Sequence, residues 1–400
     1  MTDHSPSINA TGFDPDGLTR LCEVIAARVA SGHIPGATIL LHRHGQQFEA
    51  AFGRQSPCAD APMTMDSIFR IYSMTKPVVS VAVMMLAEQG RFLISEPVAK
   101  YLPEFEGVQV GVEDKDQSGL PVLRLEPCIK PMTIQDLLRH TAGLTYGKFG
   151  TPTLVKAAYC ASGVEEIFLT NDEVVQKLAA LPLAMQPGTC WEYSRATDVL
   201  GALLERVCGQ TLDIVLRKRI FAPLGMIDTG FWVEPARQHR IAEAFDIDPD
   251  RAIEVQLHDI RHQPRLLSGG GGLVSTARDY LRFARMVANG GALEGVRLLS
   301  RKTLAFMTAD HLAVLPGAMN GPAYLPGPGY GFGLGFAVRT DAGGAYTPGS
   351  VGDFNWSGLA GTYFWIDPEE DLIAIWLMQA PEQRDAYRQL IRNLVAGCLS

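Results

Sequence analysis

Strand patterns stand at both ends of this 400-residue chain and helix patterns fill its middle. Residues 14–31 carry Leu18, Leu21, Ile25 and Val29 at helical spacing, with Gly32 as a stop. Residues 37–41 then read as a short strand, 42–45 as a turn and 48–52 as the returning strand. At the far end, residues 330–338 alternate Gly with larger side chains. Strands at 362–366 and 372–378 follow, joined by the turn-forming Asp367-Pro-Glu-Glu-Asp371, and a last helix is expected over 382–397. Between these ends lie helix patterns at 74–89, 133–139, 171–179, 195–208, 211–218 and 276–289. Residues 106–131 are rich in charge and turn formers, without a clear period. A chain patterned this way predicts an α+β fold: an antiparallel sheet flanked by the terminal helices, plus an inserted helical domain. Residues 1–72 and 330–400 form the first, discontinuous domain and residues 73–329 the second. The segment 316–331, with five Gly and with Pro316, Pro322, Pro326 and Pro328, is the expected hinge.

Composition narrows the function classes. Hydrophobic residues make up 47% and charged residues 20%, the balance of a globular protein with a large core. The net charge is −8 and no Lys/Arg-dense run occurs, which argues against binding a nucleic-acid backbone. Seven cysteines, an odd number without a Cys-x-x-Cys pair, do not suggest a disulfide framework. Residues 1–7 show no basic-then-apolar leader pattern. The longest apolar stretch, Val78 to Ala87, falls short of the roughly 20 residues that cross a bilayer. The expectation is a cytoplasmic enzyme with no membrane partner.

Three short motifs carry chemistry. The sharpest is Ser73-Met-Thr-Lys76, between an extended-looking segment and an apolar helix. One helical turn separates the two side chains, on neighbouring positions of one face. A serine hydroxyl is a weak nucleophile and needs a base. Burial and the positive end of a helix both favour the neutral form of an amine, so Lys76 is expected uncharged and able to take the serine proton. The same four residues also describe a helix cap with a snorkelling lysine. The second motif is Tyr193-Ser-Arg195, where a tyrosine at a loop-to-helix junction can relay protons or simply fill a core. The third is Asn355-Trp-Ser-Gly-Leu-Ala-Gly-Thr362. A Gly on an edge strand there permits close approach of another backbone, and an inward N–H could form half an oxyanion hole. It equally describes a Gly-rich turn before a strand.

Taken together and in this order, Ser73-x-x-Lys76, Tyr193-Ser-Arg195 and Trp356-Ser-Gly358 make the chain resemble the serine β-lactamase and penicillin-recognising enzymes. Within them it is most similar to the class C β-lactamase-like carboxylesterases called family VIII esterases. Lesser echoes are Leu137-Leu-Arg-His-Thr-Ala-Gly-Leu144, Ser268-Gly-Gly-Gly-Gly272 and Tyr330-Gly-Phe-Gly-Leu-Gly. The resemblance implies a β-lactamase/transpeptidase-like fold and a Ser73 nucleophile. Lys76 and Tyr193 would share general base and acid duty, their titrations coupled and the first proton acceptor undecided. It also implies an oxyanion hole made by the backbone N–H groups of Ser73 and Leu359.

Two departures from the lactamase pattern bear on substrate. Trp356 stands where Lys-Thr-Gly has its lysine, so the cation that holds a β-lactam carboxylate is gone. Arg195 stands where Tyr-x-Asn has its asparagine. Both changes argue for small neutral esters. The expected activity is a carboxylesterase acting on short acyl esters through an acyl-serine, with no metal and no organic cofactor. A β-lactamase or D-amidase, an acyltransferase and a non-catalytic ligand sensor are the rival readings on the same fold. Substrate contacts are expected from Tyr72, Tyr146, Trp191, Arg195, Trp356, Ser357 and Gly358, with Leu359 on the wall of a cleft between the domains. Other motifs lead nowhere. Gly143–Lys148 is one residue short of a phosphate loop, no Gly-x-Ser-x-Gly elbow occurs, and His258 with His262 lacks a carboxylate set for zinc. The Gly269–Gly272 run reads as a flexible loop, and Trp365 and Trp376 as core. The oligomeric state is left open.

Overall fold

A computed structural model describes residues 12–315 and 324–399. Residues 1–7, where no leader pattern is expected, and residues 316–323 of the expected hinge therefore lie outside the described residues. Helix α1, Pro15–Ala30, starts where Asp14 caps it by accepting from Gly17 N at 2.8 Å, and it buries Leu18, Leu21 and Ile25. Strands β1 (Gly36–Arg43) and β2 (Gln46–Gly53) follow as a hairpin. Its two turn residues, His44 and Gly45, both have positive φ, at 49° and 73°.

Five further strands complete the sheet: β3 (Tyr330–Phe332), β4 (Ala337–Arg339), β5 (Phe354–Ser357), β6 (Tyr363–Asp367) and β7 (Leu372–Met378). Their spatial order is β2-β1-β7-β6-β5-β4-β3, every neighbour antiparallel. The first and last parts of the chain thus meet at the β1–β7 seam, registered from Ala37 opposite Met378 to Arg43 opposite Leu372. Every residue of β7 is buried because both sheet faces are covered. Strand alternation sorts the side chains. Ile39, Leu41, Trp365, Ala374 and Trp376 pack with α1 and with α5 (Arg384–Ala396, the C-terminal helix). Leu40, Phe364, Ile366, Ile373, Ile375 and Leu377 join the large core of the helical part.

That second core is organised around α2, Thr75–Glu88, apolar on all sides and buried along nearly its whole length. It packs beside α3, Ala196–Cys208. Helix α4, Ala277–Ala288, covers the inner face of the sheet at β1 and β7. Thr133 and Asp136 cap each other reciprocally, and the helix they start runs only over Ile134–Leu138, short of the expected 133–139. The expected helix 211–218 is Leu212–Leu216, continued by a π turn through Phe221. Among the described residues no helix is long and apolar enough to cross a membrane.

Three local expectations need correction. Residues 330–338 are not one strand: Gly333 N donates to Phe336 O at 2.8 Å, so β3 turns back into β4. The alternating glycines serve that turn and the close packing around it. A Cβ on Gly335 (φ 96°) would lie 2.4 Å from Ser80 Oγ. Residues 354–357 form a strand rather than part of a loop. The unpatterned stretch 106–131 holds a hairpin, Gln109–Lys115 with Pro121–Pro127. Most of its side chains face water, so it carries no buried stripe that a periodicity could reveal.

Candidate active site

Ser73 sits in a 3-10 turn, Tyr72–Met74, that runs directly into α2. The turn is an unusual piece of backbone. Tyr72 has φ 43°, a left-handed conformation that costs a bulky residue energy and persists only where the surroundings impose it. They do so from several directions. Ile71 N donates to Leu273 O at 3.0 Å and Leu273 N donates to Thr75 Oγ1 at 3.1 Å. Tyr280 Oη donates to Met74 O at 3.0 Å, and Thr362 Oγ1 donates to Ile71 O at 3.2 Å. The Tyr72 hydroxyl accepts from His258 N at 3.2 Å, with the two rings 5.3 Å apart.

The side chains at 73, 76 and 193 meet. Tyr193 Oη donates to Ser73 Oγ at 2.6 Å, and Lys76 Nζ stands 3.3 Å from the same oxygen. Lys76 is 1% exposed and donates also to Gly270 O at 2.6 Å and to Tyr146 Oη at 3.2 Å. Its ammonium lies 4.6 Å from the centre of the Tyr193 ring. Ser73 itself is half-buried and so reachable by a small molecule.

Against the expectation of a neutral amine, Lys76 is displaced upward from the ordinary lysine range. Burial does favour the neutral amine and is the largest single influence. Tyr146 and Tyr193 beside it, and then Asp198, act in the opposite direction and together hold the group above the ordinary lysine range. The acceptors that converge on Nζ, Gly270 O and Tyr146 Oη, come from distant parts of the chain, and no local spacing encodes them. Tyr146 moves upward as well, to about 12, chiefly because it is buried, with Lys76 opposing.

Asp198, one turn into α3, is a site residue that the motifs did not reveal. It accepts from Ser268 Oγ at 2.5 Å and from Gly270 N at 3.0 Å. In this way it fixes the peptide whose carbonyl receives Lys76. The Gly269–Gly272 run is accordingly not a loose loop. A Cβ on Gly269 would lie 2.4 Å from Thr197 O, and one on Gly270 2.7 Å from Asp198 Oδ2, so the glycines are there for contact with α3.

On the other side of Ser73 lies the end of β5. The strand is interior to the sheet, not an edge. Its pairing with β4 covers only Asn355 opposite Ala337 and Phe354 opposite Val338, so beyond Asn355 that side is open. Gly358 approaches the nucleophile's turn so closely that a Cβ would lie 2.4 Å from Ile71 O and 2.2 Å from Thr362 Oγ1. Leu359 is 39% exposed, and among the described residues its N–H donates to no protein acceptor. Ser357 faces Tyr363 in the β5–β6 register.

The aromatic candidates separate into two groups. Trp356 is nearly buried, 5.5 Å from the Tyr193 ring and 5.3 Å from Phe332. Trp191 is fully buried behind Tyr193, stacked on it at 6.0 Å with an angle of 11°, and edged by Tyr324 and Phe332. Its place is support for the tyrosine rather than an exposed wall. A second layer holds both tyrosines. Lys156 Nζ pairs with Glu192 Oε1 at 2.9 Å and donates to Phe149 O at 2.6 Å, and Thr145 Oγ1 donates to the same Glu192 oxygen at 2.7 Å. This buried ion pair pins the segments on either side of Tyr146 and Tyr193. Arg195 lies 5.5 Å from the Tyr146 ring and 3.6 Å from Asp198.

His262 pairs with Asp259 at 2.9 Å, while His258 packs on Tyr72. No cluster of three or more His, Cys, Asp or Glu placed to hold a metal occurs among the described residues. A cavity of about 580 Å³, lined by residues including Pro97, Phe105, Val108, Cys128 and Met132, shares no residue with the Ser73 group.

An acylatable hydroxyl, a phenol in contact with it, a buried cation beside both and a close-approaching glycine strand together suit covalent acyl transfer. Comparison with known proteins agrees. The family model described as Beta-lactamase matches residues 21–396. Protein Rv1367c of Mycobacterium tuberculosis is 35% identical over 361 residues, 87% of this chain and 86% of that one. Esterase EstB of Burkholderia gladioli is 32% identical over 387 residues, 90% and 91% of the two chains. Among solved structures, "EstCE1, a hydrolase with promiscuous acyltransferase activity" superposes with a TM-score of 0.77 at 27% identity, covering 95% of this chain and 98% of the other. The fold is thus β-lactamase/transpeptidase-like.

Proposed function

We propose that this chain, which belongs to the Beta-lactamase family and is family VIII esterase-like within it, is a serine carboxylesterase hydrolysing short-chain acyl esters through an acyl-serine intermediate. The observation that carries the reading is the 2.6 Å contact between Tyr193 Oη and Ser73 Oγ, made beside a lysine 3.3 Å from the same oxygen. The names of the similar proteins, an esterase and a hydrolase, point the same way.

In this reading Ser73 Oγ attacks the ester carbonyl and its proton passes to Tyr193 Oη as Tyr193 releases its own towards the leaving alcohol. Lys76 Nζ, 3.3 Å from Ser73 Oγ, favours the negative charge that develops on the oxygens beside it. The carbonyl oxygen gathers charge as the tetrahedral intermediate forms, and the N–H groups of Ser73 and Leu359 are placed to receive it. The alcohol departs with the proton that Tyr193 releases. Water then repeats the sequence on the acyl-serine, with Tyr193 taking its proton and giving it back to Ser73. The cleft in this reading lies beside Ser73, between the end of β5 and the helical part of the fold. Trp356 supplies an apolar wall there, which suits an acyl chain.

Intact-mass analysis after a pulse of p-nitrophenyl butyrate or a serine-directed phosphonate, with peptide mapping, tests this. The expected adduct is on the Ser73 peptide and absent in Ser73→Ala. An adduct elsewhere, or none with either reagent, refutes the reading. Alcohols compete with water for the same intermediate, and EstCE1 is described as having promiscuous acyltransferase activity. Product analysis with an added alcohol therefore measures how much acyl group leaves as a new ester.

A further inference from the structure

Other buried and half-buried arginines of this protein donate hydrogen bonds, including Arg339 and Arg388, which each also keep one nitrogen without a partner. Arg70 donates to Glu243, Ala242 O and His258 O. Arg139 donates to Asp136 and Thr141, and Arg392 grips both oxygens of Asp353. Arg195 differs. It stands two residues after Tyr193, at the N-cap of α3, with a side chain 11% exposed. Its charged neighbour is Asp198, but the approach is 3.6 Å, longer than a hydrogen bond. The oxygen it faces is Asp198 Oδ2, whereas Oδ1 accepts from Ser268 and Gly270. Arg195 Nε is buried and has no hydrogen-bond partner. A guanidinium carries five N–H donors in a planar fork. Among the described residues no hydrogen bond uses any of those of Arg195. Its face lies 5.5 Å from the Tyr146 ring, whose hydroxyl receives Lys76, so the unused donors border the Ser73 group.

A half-buried fork with no acceptor is costly until something supplies one, and its geometry matches the two oxygens of a carboxylate. We propose that Arg195 binds a carboxylate on the substrate, so that the ester cleaved at Ser73 is an acid-bearing one, either a half-ester of a dicarboxylic acid or an ester of a hydroxy acid. The inference rests on the esterase reading and names its substrate class. It also revises the sequence argument for a neutral ester. The cation absent at Trp356 is matched by one that Arg195 supplies from the start of α3.

Two matched pairs of esters test it. p-Nitrophenyl butyrate against p-nitrophenyl hemisuccinate places the charge on the acyl side. Phenyl acetate against 4-acetoxybenzoate places it on the alcohol side. In the wild type the anionic member of one pair is expected to lead its neutral partner in kcat/KM by about tenfold or more, the scale of one charge-assisted hydrogen bond. The pair that shows the lead identifies the side. Arg195→Gln should bring that ratio close to one, mainly through KM. Arg195→Lys should fall between, since an ammonium keeps the charge and loses the fork. Ratios near one for both pairs in the wild type, or a ratio unchanged in both variants, overturn the proposal. Calorimetry with monomethyl succinate on Ser73→Ala protein gives an answer independent of turnover. The same titration with 4-acetoxybenzoate covers the alcohol side: binding of either ester that weakens about tenfold when Arg195→Gln is added supports the proposal, and absent or unchanged binding of both overturns it. Failure of the esterase reading would show separately, as no turnover of any of the four esters.

Discussion

A single hydrogen atom in place of a methyl group decides how close the sheet can come to the nucleophile. Gly358 leaves no room for a Cβ, because its neighbours there are the Ile71 carbonyl and Thr362 Oγ1. Gly358→Ala must push the end of β5 away from the turn that holds Ser73. A displacement of about 1 Å at a reacting centre costs about a hundredfold in rate, so kcat/KM should fall by that order while the circular dichroism spectrum stays native. A variant with wild-type kcat/KM would show that the close approach is dispensable. Tyr193→Phe removes the hydroxyl touching Ser73 and should lower kcat by roughly 10²–10⁴-fold, the range of general acid–base contributions. Steady-state rates on p-nitrophenyl butyrate measure it, and a loss below tenfold would mean another group moves the proton. At this scale the sequence is partly legible. Ser73 and Lys76 lie one helical turn apart, so their meeting follows from helix geometry alone. Asp198 and Gly270 act on Lys76 from separate parts of the chain, and no spacing encodes that. The upward displacement of Lys76 escapes the sequence for the same reason.

At the scale of elements, the buried Lys156–Glu192 pair ties the segment carrying Tyr146 to the one carrying Tyr193. Breaking such a pair strands the remaining charge in a dry interior and costs roughly 3–5 kcal/mol. Lys156→Met should therefore lower stability by about that amount in urea unfolding, and the double variant Lys156→Met with Glu192→Leu should recover much of it. Equal losses in the single and double variants would mean that the pair is not what couples the two segments. The elements themselves are legible in the sequence where a face is buried. The α1 stripe, the β1–β2 hairpin and the two apolar strands β6 and β7 all declare themselves. The hairpin at 109–127 does not, because its side chains mostly face water. The β3–β4 turn is concealed by glycines that read as alternation.

At the scale of the whole molecule, the return of the chain to its first sheet is legible because strand periodicity recurs after residue 330. How the parts seal is not. Asp279 illustrates this: it lies on α4, under the sheet, and accepts from Asp228 N at 2.7 Å and from Thr229 Oγ1 at 2.9 Å. Burial raises its carboxyl to about 6, with the hydrogen bonds opposing. The native state then holds this proton more tightly than the unfolded chain does. The associated stability is present in full below the ordinary aspartate range and is lost as pH rises through about 6, with a ceiling of about 3 kcal/mol. Asp279→Asn cannot ionise, so its melting temperature relative to wild type should improve between about pH 4 and about pH 7. A difference constant over that interval would mean that Asp279 is charged throughout.

The turn around Ser73 is held by residues 258, 273, 280 and 362, all far downstream of it. A nascent chain emerging from the ribosome would carry its serine and lysine early, yet the strained Tyr72 backbone lacks its full set of ties until the penultimate strand is reached. Reactivity therefore arrives late in synthesis. A shortened product lacking the last forty residues should be chemically inert, which spares the cell a half-made hydrolase.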